Sequence, residues 1–145
     1  MLTHIFLANS EATEQCGAHL FTHLPQKALI FLEGDLGAGK TTFVRGFLRA
    51  AGVTGAIKSP TYALVEEYEI SQHKIFHFDL YRLAEPDELE WIGIDDYLNQ
   101  DALCFVEWAE KGAGILPPAD IIISLSQKED GRLLKIDDKN NLITL

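Results

Sequence analysis

The chain has 145 residues, a net charge of −10, a pI near 4.8 and 47% hydrophobic residues. That length predicts one domain, residues 1–145, able to bury roughly 68–70% of its unfolded surface. The negative charge argues against a broad footprint for DNA or for an anionic membrane surface.

The apolar run HIFLA (residues 4–8) predicts a first strand. Ser10 is expected to cap the helix after it, whose stripe of Ala12, Cys16, Leu20 and Leu24 repeats every four residues until Pro25. KALIFLE (27–33) is continuously apolar, as expected for a strand buried on both faces of a parallel sheet. GDLGAGKTT follows at 34–42, and Lys40 to Ala51 predicts a helix ending at Gly52. YALVEEYEI (62–70) and HKIFHFDLYRL (73–83) predict two strands joined near Ser71–Gln72. In the second, Ile75, His77, Asp79 and Tyr81 share one face, and Phe76, Phe78 and Leu80 share the other. PDELEWIGIDDYLNQ (86–100) predicts one or two short helices, ALCFVE (102–107) a buried strand, and WAEKGAGILP (108–117) a short helix and loop. ADIIISLSQ (119–127), GRLLKID (131–137) and NLITL (141–145) predict three closing strands. The pattern is α/β: a mixed, largely parallel central sheet flanked by helices, with the glycine loop after a central strand.

Residues 34–41 match G-x-x-x-x-G-K-[ST] in full, between a strand and a helix, which is the setting of a P-loop (Walker A). Such glycines let backbone N–H groups converge on phosphates, and the helix start adds partial positive charge. The loop residues Gly34, Asp35, Leu36, Gly37, Ala38, Gly39, Lys40, Thr41 and Thr42 are therefore the candidate nucleotide-phosphate contacts. Lys40 would reach the β- and γ-phosphates, and the Thr41 hydroxyl would ligate Mg²⁺. Mg²⁺ keeps octahedral oxygen coordination and needs one or two carboxylates nearby. Glu107, ending LCFVE, and Asp79, ending IFHFD, are the two candidates: one to hold the metal, the other to orient the attacking water. Ser59, Pro60 and Thr61 sit where a phosphate-sensing switch segment would lie, and Thr61 is the candidate hydroxyl there; an ordinary turn before a strand is the alternative.

His19 and His23 share a helix face without the glutamate of a zinc hydrolase motif. His73 and His77 would be about 13 Å apart on an extended strand at roughly 3.3 Å per residue, too far to share one ion. His77, beside Asp79, is a candidate supporting group. Cys16 and Cys104 lie in apolar segments with no metal-binding spacing, which predicts buried free thiols. The N-terminus lacks a secretory signal pattern, and no apolar run approaches the roughly 18 residues of a membrane span. A cytoplasmic protein is expected. Residues 60–110 carry thirteen Asp/Glu against only Lys74 and Arg82, whereas residues 1–59 hold four acidic and five basic residues. That middle is either a solvated acidic face or a docking surface for a basic protein.

GDLGAGKTT, SPTY, HFDLYRL, the acidic helix with IGIDDYL, and VEW occur in the order found in the bacterial TsaE (YjeE) ATPases of tRNA threonylcarbamoyladenosine synthesis. The chain resembles that family over roughly residues 10–132. The resemblance implies an ATPase that joins the TsaB–TsaD heterodimer, meets tRNA only indirectly, and uses ATP (released as ADP) to reset or sustain the complex without transferring the threonylcarbamoyl group itself. It implies that residues 37–40 hold phosphate and that Thr41 and Glu107 hold Mg²⁺. It also places Asp79 and Trp108 in the motifs tied to hydrolysis, and makes Ser10 and Arg132 contacts to the nucleoside. A small-molecule kinase is the first rival, but only Arg82 and Arg132 follow residue 60 and no insertion is long enough for a lid. A GTP switch is the second, and the chain has no N-K-x-D segment. A nucleotide-binding subunit without turnover is the third.

Overall fold

The computed structural model describes residues 2–35, 39–57, 60 and 63–144. Among these residues, seven strands form one mixed sheet in the order β1-β7-β6-β2-β5-β4-β3. They are β1 (Leu2–Leu7), β2 (Ala28–Glu33), β3 (Val65–Ile70), β4 (His73–Asp79), β5 (Leu103–Glu107), β6 (Ile121–Lys128) and β7 (Gly131–Asp138). The four central strands β6, β2, β5 and β4 run parallel, and β1, β7 and β3 attach antiparallel at the flanks. β2 lies between two parallel partners, which explains why its sequence is apolar on both faces.

Strand alternation divides the core into two layers. Ile30, Leu32, Ile75, Leu103 and Phe105 face one side, where α1 (Ser10–Phe21) and α2 (Lys40–Ala51) supply Leu20, Phe43, Val44, Phe47 and Leu48. Leu29, Phe76, Phe78, Cys104 and Val106 face the other, covered by α3 (Glu88–Trp91) and α4 (Ile94–Leu98) through Leu89 and Ile94. The expected split of β4 therefore holds, with Ile75 on one face and Phe76, Phe78 and Leu80 on the other. Tyr81 lies beyond the strand, in a turn.

Three local expectations need correction. The cap of α1 is Asn9, not Ser10: Asn9 is extended (φ −155°) and its side-chain oxygen accepts the Ala12 N–H at 2.8 Å, while Ser10 is the first helical residue. The fully buried face of α1 is Thr13, Gly17 and Leu20, with Ala12 and Cys16 only partly buried. This happens because α1 crosses α2 backbone to backbone. A Cβ on Gly17 would strike the Phe43 carbonyl, and one on Gly46 would strike the Glu14 carbonyl. Lastly, residues 141–144 form no strand, because the Asp138 carboxylate accepts the N–H groups of Leu142 and Ile143, both at 2.9 Å. Among the described residues, no helix is long and apolar enough to cross a membrane.

Candidate functional site

The parallel register of β4 and β5 sets Asp79 beside Glu107 at the carboxyl ends of both strands. Both carboxylates are buried, 7% and 4% exposed. β2 runs beside β5, so the segment leaving β2 delivers the start of α2 to the same edge. Lys40, the first residue of α2, is 6% exposed, and its Nζ lies 3.6 Å from Glu107 Oε1. Buried charges of this kind persist only when paired, since each pays a desolvation penalty of several kcal/mol.

Glu107 has a second partner. His77, two residues before Asp79 on the same face of β4, places Nε2 2.6 Å from Glu107 Oε2. With the Lys40 ammonium flanking the other oxygen, Glu107 is assigned as the acceptor and His77 Nε2 as the donor. His77 Nδ1 is buried and, among the described residues, has no hydrogen-bond partner. His77, anticipated as a supporting group, meets Glu107. Asp79 is fixed separately, with Oδ1 accepting the Tyr81 N–H at 3.0 Å.

Trp108 follows Glu107 in the left-handed region (φ 58°), unusual for a bulky residue. Its ring stands over Lys40, with Nζ 4.7 Å from the centroid, in cation–π range. Tyr81 packs against that ring as well, at 5.0 Å between centroids.

Asp79, Glu107 and Trp108, with Lys40, form one wall of a cleft of about 350 Å³. Residues 39–42 supply its floor, and the opposite rim comes from Asn9, Ser10 and Thr13 at the start of α1 and from the turn at 130–132. The crossing of α1 on α2 creates this proximity. A Cβ on Gly39, itself left-handed at φ 104°, would sit 3.7 Å from the Thr13 methyl. Arg132 faces the cleft from the start of β7, and its Nη1 donates to the Gly131 carbonyl at 3.1 Å.

Of the residues expected from the sequence, Ser10, Gly39, Lys40, Thr41, Thr42, Asp79, Glu107, Trp108 and Arg132 converge on this cleft. Gly34 and Asp35 line a smaller recess of about 250 Å³ that shares Lys40 and Trp108 with it. Leu36, Gly37, Ala38 and Thr61 lie outside the described residues. Sequence reasoning did not reach Asn9, Thr13 or Tyr81, nor the His77–Glu107 contact. For Asn9 a signal was present: an Asn-Ser-Glu start offers two cap residues, and the choice turns on one residue of phase.

The donor set can be tested against a hard cation. Among the described residues, no three His, Cys, Asp or Glu side chains converge as a ready-made metal cage. Mg²⁺ does not need one: it is held by one or two carboxylates, water and phosphate oxygens. Asp79, Glu107 and the exposed Thr41 hydroxyl line one cleft and offer only oxygen, so they fit. No softer ligand faces the cleft among its lining residues.

Fold and cleft together define an α/β protein whose site lies at the carboxyl ends of parallel strands, beside the helix that follows a glycine-rich loop. The model of the family described as "Threonylcarbamoyl adenosine biosynthesis protein TsaE" matches residues 7–134, and the chain belongs to that family. The tRNA threonylcarbamoyladenosine biosynthesis protein TsaE of Haemophilus influenzae is 52% identical over 120 residues, 83% of this chain and 76% of that protein. Its Aquifex aeolicus counterpart is 34% identical over 134 residues, 91% of this chain and 92% of that protein. The crystal structure of Bacillus subtilis YdiB superposes with a TM-score of 0.82 at 27% identity, covering 98% of this chain and 89% of that one.

Proposed function

We propose that the cleft binds ATP with Mg²⁺ and hydrolyses it in support of tRNA threonylcarbamoyladenosine synthesis, acting on a TsaB–TsaD heterodimer. The observation that carries this reading is the buried Lys40 at the start of α2, facing two register-matched carboxylates beside a sequence that fits G-x-x-x-x-G-K-T. The relatives' names supply the pathway.

Lys40 and the first-turn N–H groups of α2 bind the polyphosphate, and Thr41 and Glu107 hold the metal, with Asp79 beside them. Mg²⁺ bound there supplies positive charge to the phosphoryl oxygens. The carboxylate left outside the metal's inner shell holds water in line for attack. His77 keeps Glu107 in one orientation, and the Trp108 ring shields Lys40 from bulk water. Ser10 and Arg132 reach the nucleoside from the opposite rim. Lys40 is paired with Glu107 at 3.6 Å, so phosphate would compete with that contact.

Among the described residues, the cations lining the cleft are Lys40 and Arg132, and Arg132 is assigned to the nucleoside. Arg45 pairs with Glu14 at 3.3 Å, and Arg49 donates to the Val53 carbonyl at 3.1 Å, both away from the cleft lining. Turnover by the isolated chain is therefore slow and partner-stimulated; an arginine supplied in trans is worth roughly 10³–10⁵ in rate in related chemistry. The test is ATPase rate with and without the purified TsaB–TsaD heterodimer. At least a tenfold stimulation is expected, and a fast rate unchanged by the heterodimer would refute the dependence. The protein is expected to act in the cytoplasm, without contacting DNA or membrane.

A further inference from the structure

Trp91 is 77% exposed, the most exposed of the large apolar side chains among the described residues, and Ile92 beside it is 37% exposed. Neither results from a loose helix. Leu89 and Ile94, on either side in sequence, are 0% and 2% exposed and anchor α3 and α4 into the core. The turn before α3 is tied down as well: Glu88 Oε2 accepts the N–H groups of Ala84 and Glu85 at 2.6 and 2.9 Å. Trp91 is a fixed platform with its ring in water.

Beside it runs a groove of about 260 Å³, walled by Leu64, Leu83, Arg82 and Glu88. Asp79 lines this groove and the main cleft alike. The surroundings are strongly anionic: residues 85–96 hold six carboxylates (Glu85, Asp87, Glu88, Glu90, Asp95 and Asp96) with no Lys or Arg, and all but Glu88 are exposed. Among the described residues, Arg82 is the sole basic residue on the groove wall.

We infer that this groove docks a basic protein surface, one that stacks an arginine or lysine side chain on Trp91 and sets its neighbours against the acidic rim. Tryptophan is among the side chains most enriched at binding hot spots and gives the strongest cation–π contacts. Charge decides among occupants. A second copy of this chain would bring the same acidic rim against itself, and nucleic acid or anionic lipid would be repelled. A basic protein gains on both counts, and the field steers its approach. Because Asp79 forms part of both cavities, a protein seated here lies one carboxylate from the catalytic cleft. The inference rests on the partner-stimulated ATPase proposed above, and it locates the contact through which stimulation acts.

The test measures affinity of the TsaB–TsaD heterodimer for the wild-type chain, Trp91→Ala, the double variant Asp87→Lys/Glu90→Lys, and Phe6→Ala. Phe6 is the control, an apolar side chain 52% exposed on the edge strand β1. Calorimetry with Mg·ATP runs in parallel on each. Trp91→Ala and the charge-reversed variant are expected to bind the heterodimer at least tenfold more weakly. Phe6→Ala should bind as wild type, and all four should take up Mg·ATP within about twofold of one another. Heterodimer affinity unchanged in Trp91→Ala overturns the groove and leaves the ATPase reading standing. No nucleotide uptake by the wild-type chain overturns the ATPase reading, while the heterodimer titration still reads the groove. No complex with the wild-type chain overturns the groove and the partner stimulation together. A dimer of the chain itself, or RNA binding, that is lost in Trp91→Ala also overturns the assignment.

Discussion

Replacing His77 with leucine removes a donor that holds Glu107. The contact is short, 2.6 Å, with the two side chains 2% and 6% exposed. Net values for hydrogen bonds to charged groups are about 1.5–3 kcal/mol, and here the loss also leaves a buried carboxylate leaning on Lys40. Leucine conserves most of the volume, so little cavity cost is added and a total of about 2–3 kcal/mol follows. At this chain length each kcal/mol shifts the midpoint by roughly 2–4 °C, which gives a fall in Tm of about 4–12 °C. The assay is thermal and urea unfolding of wild type, His77→Leu, His77→Gln and Glu107→Gln, with His77→Leu repeated in the Glu107→Gln background. Glutamine keeps a donor near the Nε2 position and should recover at least half of the loss. With a neutral amide at 107 the leucine should cost markedly less, since no charge is left underserved. A leucine variant within about 0.5 kcal/mol of wild type, or an equal cost in both backgrounds, would refute the claim that His77 acts through Glu107.

Two further outcomes follow from the packing. Gly46→Ala puts a methyl into the Glu14 backbone where α1 crosses α2, so it should lower stability by at least about 2 kcal/mol and loosen the α1 rim of the cleft; an unchanged urea midpoint would contradict the crossing. Burial pushes the Cys104 thiol from 9.0 up to about 12, with Lys27 pulling weakly the other way. Between those values the unfolded chain gives up its thiol proton and the folded chain keeps it, so native stability falls as pH rises, by about 1.4 kcal/mol per pH unit. Urea unfolding from about pH 9.5 to 11 should show that steeper fall in wild type than in Cys104→Ala, and parallel slopes would contradict the burial of the thiol.

Much of the fold was legible because its signals are local. β2 and β5 are short apolar runs with nowhere to go but a sheet interior, and the glycine loop fixes the start of α2 to the residue. Asp79 and Glu107 each stand at a strand end, so their part in the cleft could be read from two separate segments. Their partners could not. His77 meets Glu107 across 30 residues of sequence, and only the strand order placing β4 beside β5 joins them. The burial face of α1 was misread for a related reason: it is set by two glycines meeting backbone carbonyls, and counting apolar side chains cannot see a contact made by the absence of one. NLITL has the composition of a strand, but a single carboxylate, Asp138, takes amides that a strand would have paired. Residues 86–100 read only as one or two short helices, and the apolar letters alone do not show that Leu89 and Ile94 fill the core while Trp91 faces outward.

The most direct measurement is calorimetric titration of Mg·ATP into the wild-type chain and Lys40→Ala, with circular dichroism to show that both are folded. Loss of one charge-assisted phosphate contact of about 1.5–3 kcal/mol predicts binding weakened by roughly 10- to 150-fold in the variant. No heat of binding by the wild-type chain at millimolar nucleotide, or equal affinity in the two, would mean that phosphate is not held at the start of α2.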